Sequence, residues 1–253
     1  MLAASSDQEK LASVLRQFGA AGVFPLALLR RPGLAECRFW ADDAGDVVAT
    51  RLAGNVLPLF RHGRAGAVAR WLREQSGLSQ MIVPESQGAE LVEKEELPAH
   101  RTPVAETLAE MRELHAESPA DLRTAGPADA ERLARLYPPQ TFHVAEFLPF
   151  PERFRVALAT GRFCYLERDG RPVAACHSLP EAEEIGQIMG VVADPAYRGR
   201  GLGRAVVAGL CRALLNDNLQ PLLFYETNNE TTRGLYRSLG FEEICPYLTV
   251  DFL

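Results

Sequence analysis

No stretch of this 253-residue chain is long and apolar enough to span a bilayer. The most apolar early run, Phe18 to Leu29, is short and is interrupted by Pro25. The N-terminal Met-Leu-Ala-Ala-Ser-Ser carries no basic region ahead of an apolar run, the pattern of a secretory leader. These absences predict a cytoplasmic protein with no membrane partner. Cysteine is scarce and scattered: Cys37, Cys164, Cys176, Cys211 and Cys245 form no CxxC pair, and five is an odd count. A disulfide framework and a structural zinc site are therefore not expected, no metal is predicted, and buried free thiols in a reducing cytosol are the expected state. Basic excess is lacking as well: 27 Lys and Arg stand against 33 Asp and Glu, a formal charge of −6, so nucleic acid is not expected as a partner. What remains is ordinary globular composition, 47% hydrophobic and 24% charged, in a length that suits one large domain or two small ones.

The chain divides near residue 120, giving expected parts at 1–120 and 121–253. Between Glu90 and Asp121 it is charge-rich and holds Pro98, Pro103 and Pro119. Val104, Leu108, Met111 and Leu114 recur at spacings of three and four, which predicts a helix in a structured connector. The first part reads as a helix with Leu11, Val14, Leu15 and Phe18 on one face. A hairpin about Asp43-Ala-Gly-Asp46 follows, then a strand at Val56 to Phe60, a helix at Ala65 to Glu74 and a strand at Met81 to Val83. The second part predicts helices at Asp129 to Leu136 and Glu152 to Thr160. Strands follow at Arg162 to Glu167 and Val173 to Ser178 around the turn dipeptide Asp169-Gly170, and then at Ile185 to Val192. A helix runs from Gly201 to Leu215 with Val207, Leu210, Cys211, Leu214 and Leu215 on one face. A buried strand at Leu222 to Glu226, a helix at Asn229 to Leu239 closed by Gly240, and a strand at Tyr247 to Phe252 complete the chain. The implied architecture is α/β, in the α+β sense, with helices on the faces of a mixed sheet. Both parts run helix, hairpin, strand, helix, which suggests an internal duplication.

The segment Ile185-Gly-Gln-Ile-Met-Gly-Val-Val-Ala-Asp-Pro-Ala-Tyr-Arg-Gly-Arg-Gly-Leu-Gly-Arg204 carries the chemistry. A strand enters a glycine-rich loop and then a helix. That order presents unpaired backbone N–H groups at a helix N-terminus, where the macrodipole favours an anion. Gly199, Gly201 and Gly203 allow close approach of the backbone to phosphate, and Arg198, Arg200 and Arg204 add charge suited to phosphate oxygens. The loop lacks the lysine of a Walker A sequence. A nicotinamide dinucleotide loop is the stronger rival, with Glu226 near the position of its ribose-binding acid. However, Asp194-Pro-Ala-Tyr-Arg198 separates strand from glycines, and no further βαβ unit follows Glu226.

Arg198-Gly-Arg-Gly201-Leu-Gly203 resembles the R/Q-x-x-G-x-G/A signature of the GNAT family of N-acetyltransferases. Asn229-Glu-Thr-Thr-Arg-Gly-Leu-Tyr236-Arg-Ser-Leu-Gly240-Phe241 is similar to the family's second block. The resemblance covers roughly residues 122 to 253. The wording Val191-Val-Ala-Asp-Pro-Ala-Tyr-Arg198 is similar to a tandem subgroup whose N-terminal half is a degenerate acetyltransferase. Here the first half offers only Arg61-His-Gly-Arg-Ala-Gly66, which resembles a non-binding copy. The resemblance implies a GNAT-type, mostly antiparallel mixed sheet flanked by helices in two tandem halves. It also implies acetyl-coenzyme A as acyl donor and an amine, small molecule or peptide, as acceptor.

It further implies residue roles. Backbone groups of Val191, Val192 and Ala193 would hold the pantetheine arm and the acetyl carbonyl, with Gly190 as a bulge. The N–H groups of Arg198, Gly199, Arg200, Gly201, Leu202, Gly203 and Arg204 would cradle the pyrophosphate. Asn229 would bond the cofactor near the pantetheine, and Tyr236 would protonate the departing thiolate. A phenol near pKa 10 keeps its proton at neutral pH, and a strand N–H aimed at the carbonyl stabilises the oxyanion. No general base is legible. His177, Glu183, Glu184 and Glu226 are candidates, each read first as a surface or hairpin residue, and family members often use a water chain. His143 and Phe147 are where acceptor pockets are often shaped, while His62, His100 and His115 read as structural or exposed. A coenzyme A-binding module without turnover is the alternative reading, and a nicotinamide-dependent oxidoreductase is a remote one. A tandem chain could satisfy internally the pairing that single-domain relatives obtain by dimerising, so a monomer is compatible with the sequence.

Overall fold

The structure is a computed structural model that describes residues 2–29, 37–52, 54–95, 97, 102–137, 155, 158, 162–182 and 185–252. Of the expected helix at 152–160 only Arg155 and Leu158 are described, both helical, and His100, His143, Phe147, Glu183 and Glu184 lie outside the described residues. By internal contact the chain forms two units, 1–108 with 225–229 and 243–253, and 109–224 with 230–242. The boundaries fall inside three strands, so the units are not contiguous in sequence.

The first unit opens with β1 (Ala3–Ser5), α1 (Gln8–Arg16) and α2 (Val23–Leu29), followed by β2 (Cys37–Ala41), β3 (Val47–Leu52) and β4 (Asn55–Phe60). Then come α3 (Ala65–Glu74), β5 (Gln80–Pro84) and α4 (Glu85–Ala89), which runs on as a π turn over Glu90–Lys94. Asp7 caps α1 by accepting the Lys10 N–H at 3.0 Å, which satisfies one of the orphan donors of the first turn. Asp42 closes the β2–β3 hairpin, its Oδ1 accepting the Asp46 N–H at 2.8 Å and the Val47 N–H at 3.2 Å. Strands β1 to β4 pair antiparallel in order, whereas β4 and β5 run parallel over only Asn55 and Val56. Val47, Ala49, Val56 and Phe60 from the strands meet Val68, Trp71 and Leu72 of α3 in the core.

Strand β6 (Val104–Met111) corrects the helix expected there. Thr107, Leu108 and Ala109 are buried in succession. A short run buried on both faces of a sheet meets an i, i+4, i+7 template by accident, and length alone does not arbitrate.

The second unit holds β7 (Arg123–Thr124), α5 (Ala130–Ala134), β8 (Arg162–Arg168), β9 (Arg171–Ala182) and β10 (Ile185–Ala193). These are followed by α6 (Leu202–Asn216), the start of β11 (Gln220–Glu226), α7 (Glu230–Leu239) and the start of β12 (Phe241–Asp251). Helix α5 is shorter than expected, its first turn being a 3-10 turn over Pro127–Asp129. Asp169 (φ 50°) and Gly170 (φ 74°) form the expected tight turn between β8 and β9. Strands β7 to β10 pair antiparallel and β11 joins β10 in parallel, the register running from Ile185 with Gln220 to Ile188 with Leu223. Val206, Val207, Leu210, Cys211 and Leu214 form the buried face of α6. Each unit thus contains a hairpin, a third antiparallel strand, a helix and a strand parallel to the third.

Candidate functional site

The site in the second unit starts where β10 leaves β11. The parallel ladder ends at Ile188, and the β9–β10 register slips between Met189 and Val192. Gly190 sits in that bulge at φ 57°. A Cβ there would stand 2.6 Å from His177 Nδ1 and 3.1 Å from Tyr137 Cε1, so glycine serves both the left-handed backbone and the closeness of the imidazole. Beyond the bulge the strand opens: Met189 is 40% exposed, and Val191, Val192 and Ala193 are half-buried. Backbone polar groups on an opened strand end are available to a ligand.

A turn links β10 to α6. The Asp194 carboxylate accepts the Ala196 N–H at 2.8 Å, and Pro195–Tyr197 make one 3-10 turn. Gly199 and Gly201 both have φ 74°, and a Cβ on either would meet nothing within 4 Å. Their glycine identity therefore answers to backbone conformation and to free space in front of the loop, with no protein neighbour demanding it. The first hydrogen bond into α6 runs from Ala205 N–H to Gly201 C=O at 3.0 Å, which leaves the N–H groups of Leu202, Gly203 and Arg204 ahead of the ladder. A Cβ on Gly203 would stand 3.9 Å from both Val191 Cγ1 and Leu235 Cδ1, so β10, α6 and α7 converge there.

The arginines divide. Arg198 is exposed and Arg200 lies 5.0 Å over the Tyr197 ring. The Arg204 guanidinium turns away from the loop. Its Nε donates to Ser238 Oγ at 3.2 Å, and Nη2 donates to the carbonyls of His115 and Ser238 at 3.3 Å each. Its side chain holds the end of α7, and only its backbone N–H is available to an anion at the helix start.

Tyr236, on α7, is 7% exposed, and its ring meets Phe241 edge-on at 5.7 Å. Burial raises its pKa well above the ordinary value for a phenol, so the side chain holds its proton across the neutral range. Asn229 is exposed immediately before α7, and by contact it groups with the first unit, as does the exposed Glu226 at the end of β11. In that unit burial raises the Glu106 carboxyl, with the Glu226 charge adding to the effect.

His177 is a buried residue, neither surface nor hairpin tip. It stacks on Phe163 at 4.5 Å, and burial lowers its pKa to about 3. So weak a base cannot take a proton from an ammonium group near neutral pH. Sequence reasoning passed over Gln187. Leu214 of α6 lies against Gly186, so Gln187 points to the opposite face. It is 5% exposed, and its Oε1 has no hydrogen-bond partner among the described residues. The only sequence signal was one amide in an otherwise apolar strand.

Residues 128–241 match the family model described as Acetyltransferase (GNAT) family. The mycothiol acetyltransferase of Kocuria rhizophila is 35% identical over 63 residues, covering 24% of this chain and 21% of its own. The glucosamine 6-phosphate N-acetyltransferase of Trypanosoma brucei brucei is 30% identical over 95 residues, covering 35% of this chain and 63% of its own. The chain thus spans less than two thirds of the length of either relative. A solved tandem GNAT protein from the clavulanic acid biosynthesis pathway superposes with a TM-score of 0.61 at 14% identity, over 99% of this chain and 98% of that one. The matched segment is thus similar to the GNAT acetyltransferase family.

Proposed function

We propose that the protein transfers the acetyl group of acetyl-coenzyme A to a primary amine by direct attack in a ternary complex. The observation that carries this reading is the pairing of an opened, bulged strand end with a helix start bearing two left-handed glycines and open space before them. An extended amide-containing arm suits the strand, and a pyrophosphate suits the helix start. The backbone of Val191, Val192 and Ala193 would bind the arm and polarise the thioester carbonyl. The N–H groups from Arg198 to Arg204 would receive the pyrophosphate, and Asn229 would bond the arm. Tyr236 would give its proton to the sulfur as the C–S bond breaks, and its raised pKa supports that role. The weak basicity of His177 favours proton removal from the amine by water. The five cysteines are free thiols, which suits a reducing cytoplasm. The first half is read as a degenerate copy of the second, a view supported by the repeated order of elements within each unit.

The test is calorimetric titration of acetyl-coenzyme A into the wild type and into a folded Gly201→Glu/Gly203→Glu variant, followed by a panel of primary amines with coenzyme A release as readout. Binding lost in the variant, with turnover of at least one amine, is expected. Binding without turnover of any amine would replace the enzyme by a coenzyme A-binding module. No binding by the wild type would end the reading.

A further inference from the structure

The sequence motif Arg61-His-Gly-Arg-Ala-Gly66 is not absorbed by the function above, yet it sits in the first unit where the glycine-rich loop sits in the second. Strand β4 runs parallel to β5 for two residue pairs, leaves it, and turns through this motif into α3. In the second unit the same order gives the proposed donor site. We infer that the corresponding cleft of the first unit is filled by the chain's own segment 85–95, which imitates the two chemical parts of the donor and leaves the protein one acetyl-coenzyme A site per chain. This inference rests on the donor site proposed above.

The strand end is occupied by an amide. The Phe60 N–H donates to Gln87 Oε1 at 3.3 Å, and Gln87 Nε2 donates to the Phe60 C=O at 2.9 Å. A carboxamide paired both ways with one strand residue makes the bonds that an amide of an extended arm would make. The helix start is occupied by a carboxylate. A Cβ on Gly66, the second residue of α3, would stand 3.3 Å and 3.5 Å from the two Glu95 carboxylate oxygens. Free N–H groups and the macrodipole favour negative charge at that position. Arg64 precedes α3 without a side-chain cap, and Glu95 supplies the anion instead.

The cations that could meet a phosphate are already paired. Arg64 Nε donates to Asp46 Oδ2 at 3.1 Å, and Arg61 Nε lies 3.5 Å from Asp46 Oδ1. The filling segment is also anchored. Leu91 is fully buried in the core with Val68, Trp71 and Leu72 of α3, and a Cβ on Gly88 would stand 2.8 Å from Val83 Cγ1. What space remains beside it, about 410 Å³, is lined by Phe60, His62, Gln87, Glu90, Glu93 and Lys94. Two carboxylates against one lysine repel a polyphosphate.

Calorimetry reads the stoichiometry directly. The wild type should take up one acetyl-coenzyme A per chain and the Gly201→Glu/Gly203→Glu variant none. Two per chain, or one remaining in the variant, would overturn the inference. A second arm needs no donor. In the Gly201→Glu/Gly203→Glu background, Glu95→Ala should lower the melting temperature by a few degrees, and millimolar inorganic pyrophosphate should restore part of that loss in the triple variant only. An equal response of double and triple variants to pyrophosphate would show that Glu95 does not hold an anion's place. Failure of the wild type to bind any donor would sink the proposed function, while this second arm would still decide the inference.

Discussion

Replacing Gly190 by alanine asks the bulge of β10 to carry a methyl group where none fits. Two effects add. The backbone at φ 57° is left-handed, which costs a non-glycine residue about 1–2 kcal/mol. The new Cβ would also stand 2.6 Å from His177 Nδ1 and 3.1 Å from Tyr137 Cε1, and both rings are buried. Forcing such an overlap in a packed interior costs about 1–3 kcal/mol, so the variant should lose roughly 2–5 kcal/mol in all. For a chain of this length that is a fall of roughly 4–20 °C in melting temperature. Urea denaturation of Gly190→Ala, His177→Ala and the double variant separates the effects. Removing the imidazole removes the overlap, so the double variant should lose at least about 1 kcal/mol less than the sum of the singles. A Gly190→Ala protein within about 0.5 kcal/mol of wild type, or strictly additive singles, would refute the claim that His177 and the bulge define each other.

His177 also makes a pH prediction. The unfolded imidazole takes up a proton below about pH 6.5, the folded one only near pH 3, so the unfolded state binds more protons in between. Stability from this group is complete above pH 6.5 and is lost as pH falls toward 3, at up to about 1.4 kcal/mol per pH unit. Thermal melts across that window should show His177→Gln with the shallower dependence, and parallel curves would refute the burial argument. Tyr236→Phe should lower kcat on a responsive amine by about 10²-fold while acetyl-coenzyme A affinity stays within about threefold, and an unchanged kcat would remove the phenol from the chemistry. Gln187→Leu discards a buried oxygen that has no hydrogen-bond partner among the described residues, so it should be neutral or stabilising by up to about 1 kcal/mol. A loss above about 2 kcal/mol in urea would mean that the amide is well satisfied after all.

Much of the fold was legible because local rules dominate it. The Asp169-Gly170 turn, the apolar face of α6 and the strand-to-loop-to-helix order around Gly201 are encoded within a few residues of themselves. Where neighbours in space dominate, the reading failed. Val104–Met111 carries a helical spacing, yet it forms a strand in which Thr107, Leu108 and Ala109 are buried in succession. Helix α4 and its π turn went unread because Glu85–Lys94 has little periodic apolar signal, and its place depends on Leu91 entering a core assembled elsewhere.

The amino-acid sequence by itself determined the glycine pattern at the start of α6 and the tyrosine on α7, because local backbone conformation is set by adjacent residues. Only the tertiary structure decided where side chains point. It turned the Arg204 guanidinium from the loop to Ser238 and His115, buried His177 until it ceased to be a useful base, and brought Gln87 and Glu95 to the ends of β4 and α3. Those outcomes depend on desolvation and on contacts between residues far apart in the chain. Neither quantity exists until the chain has folded.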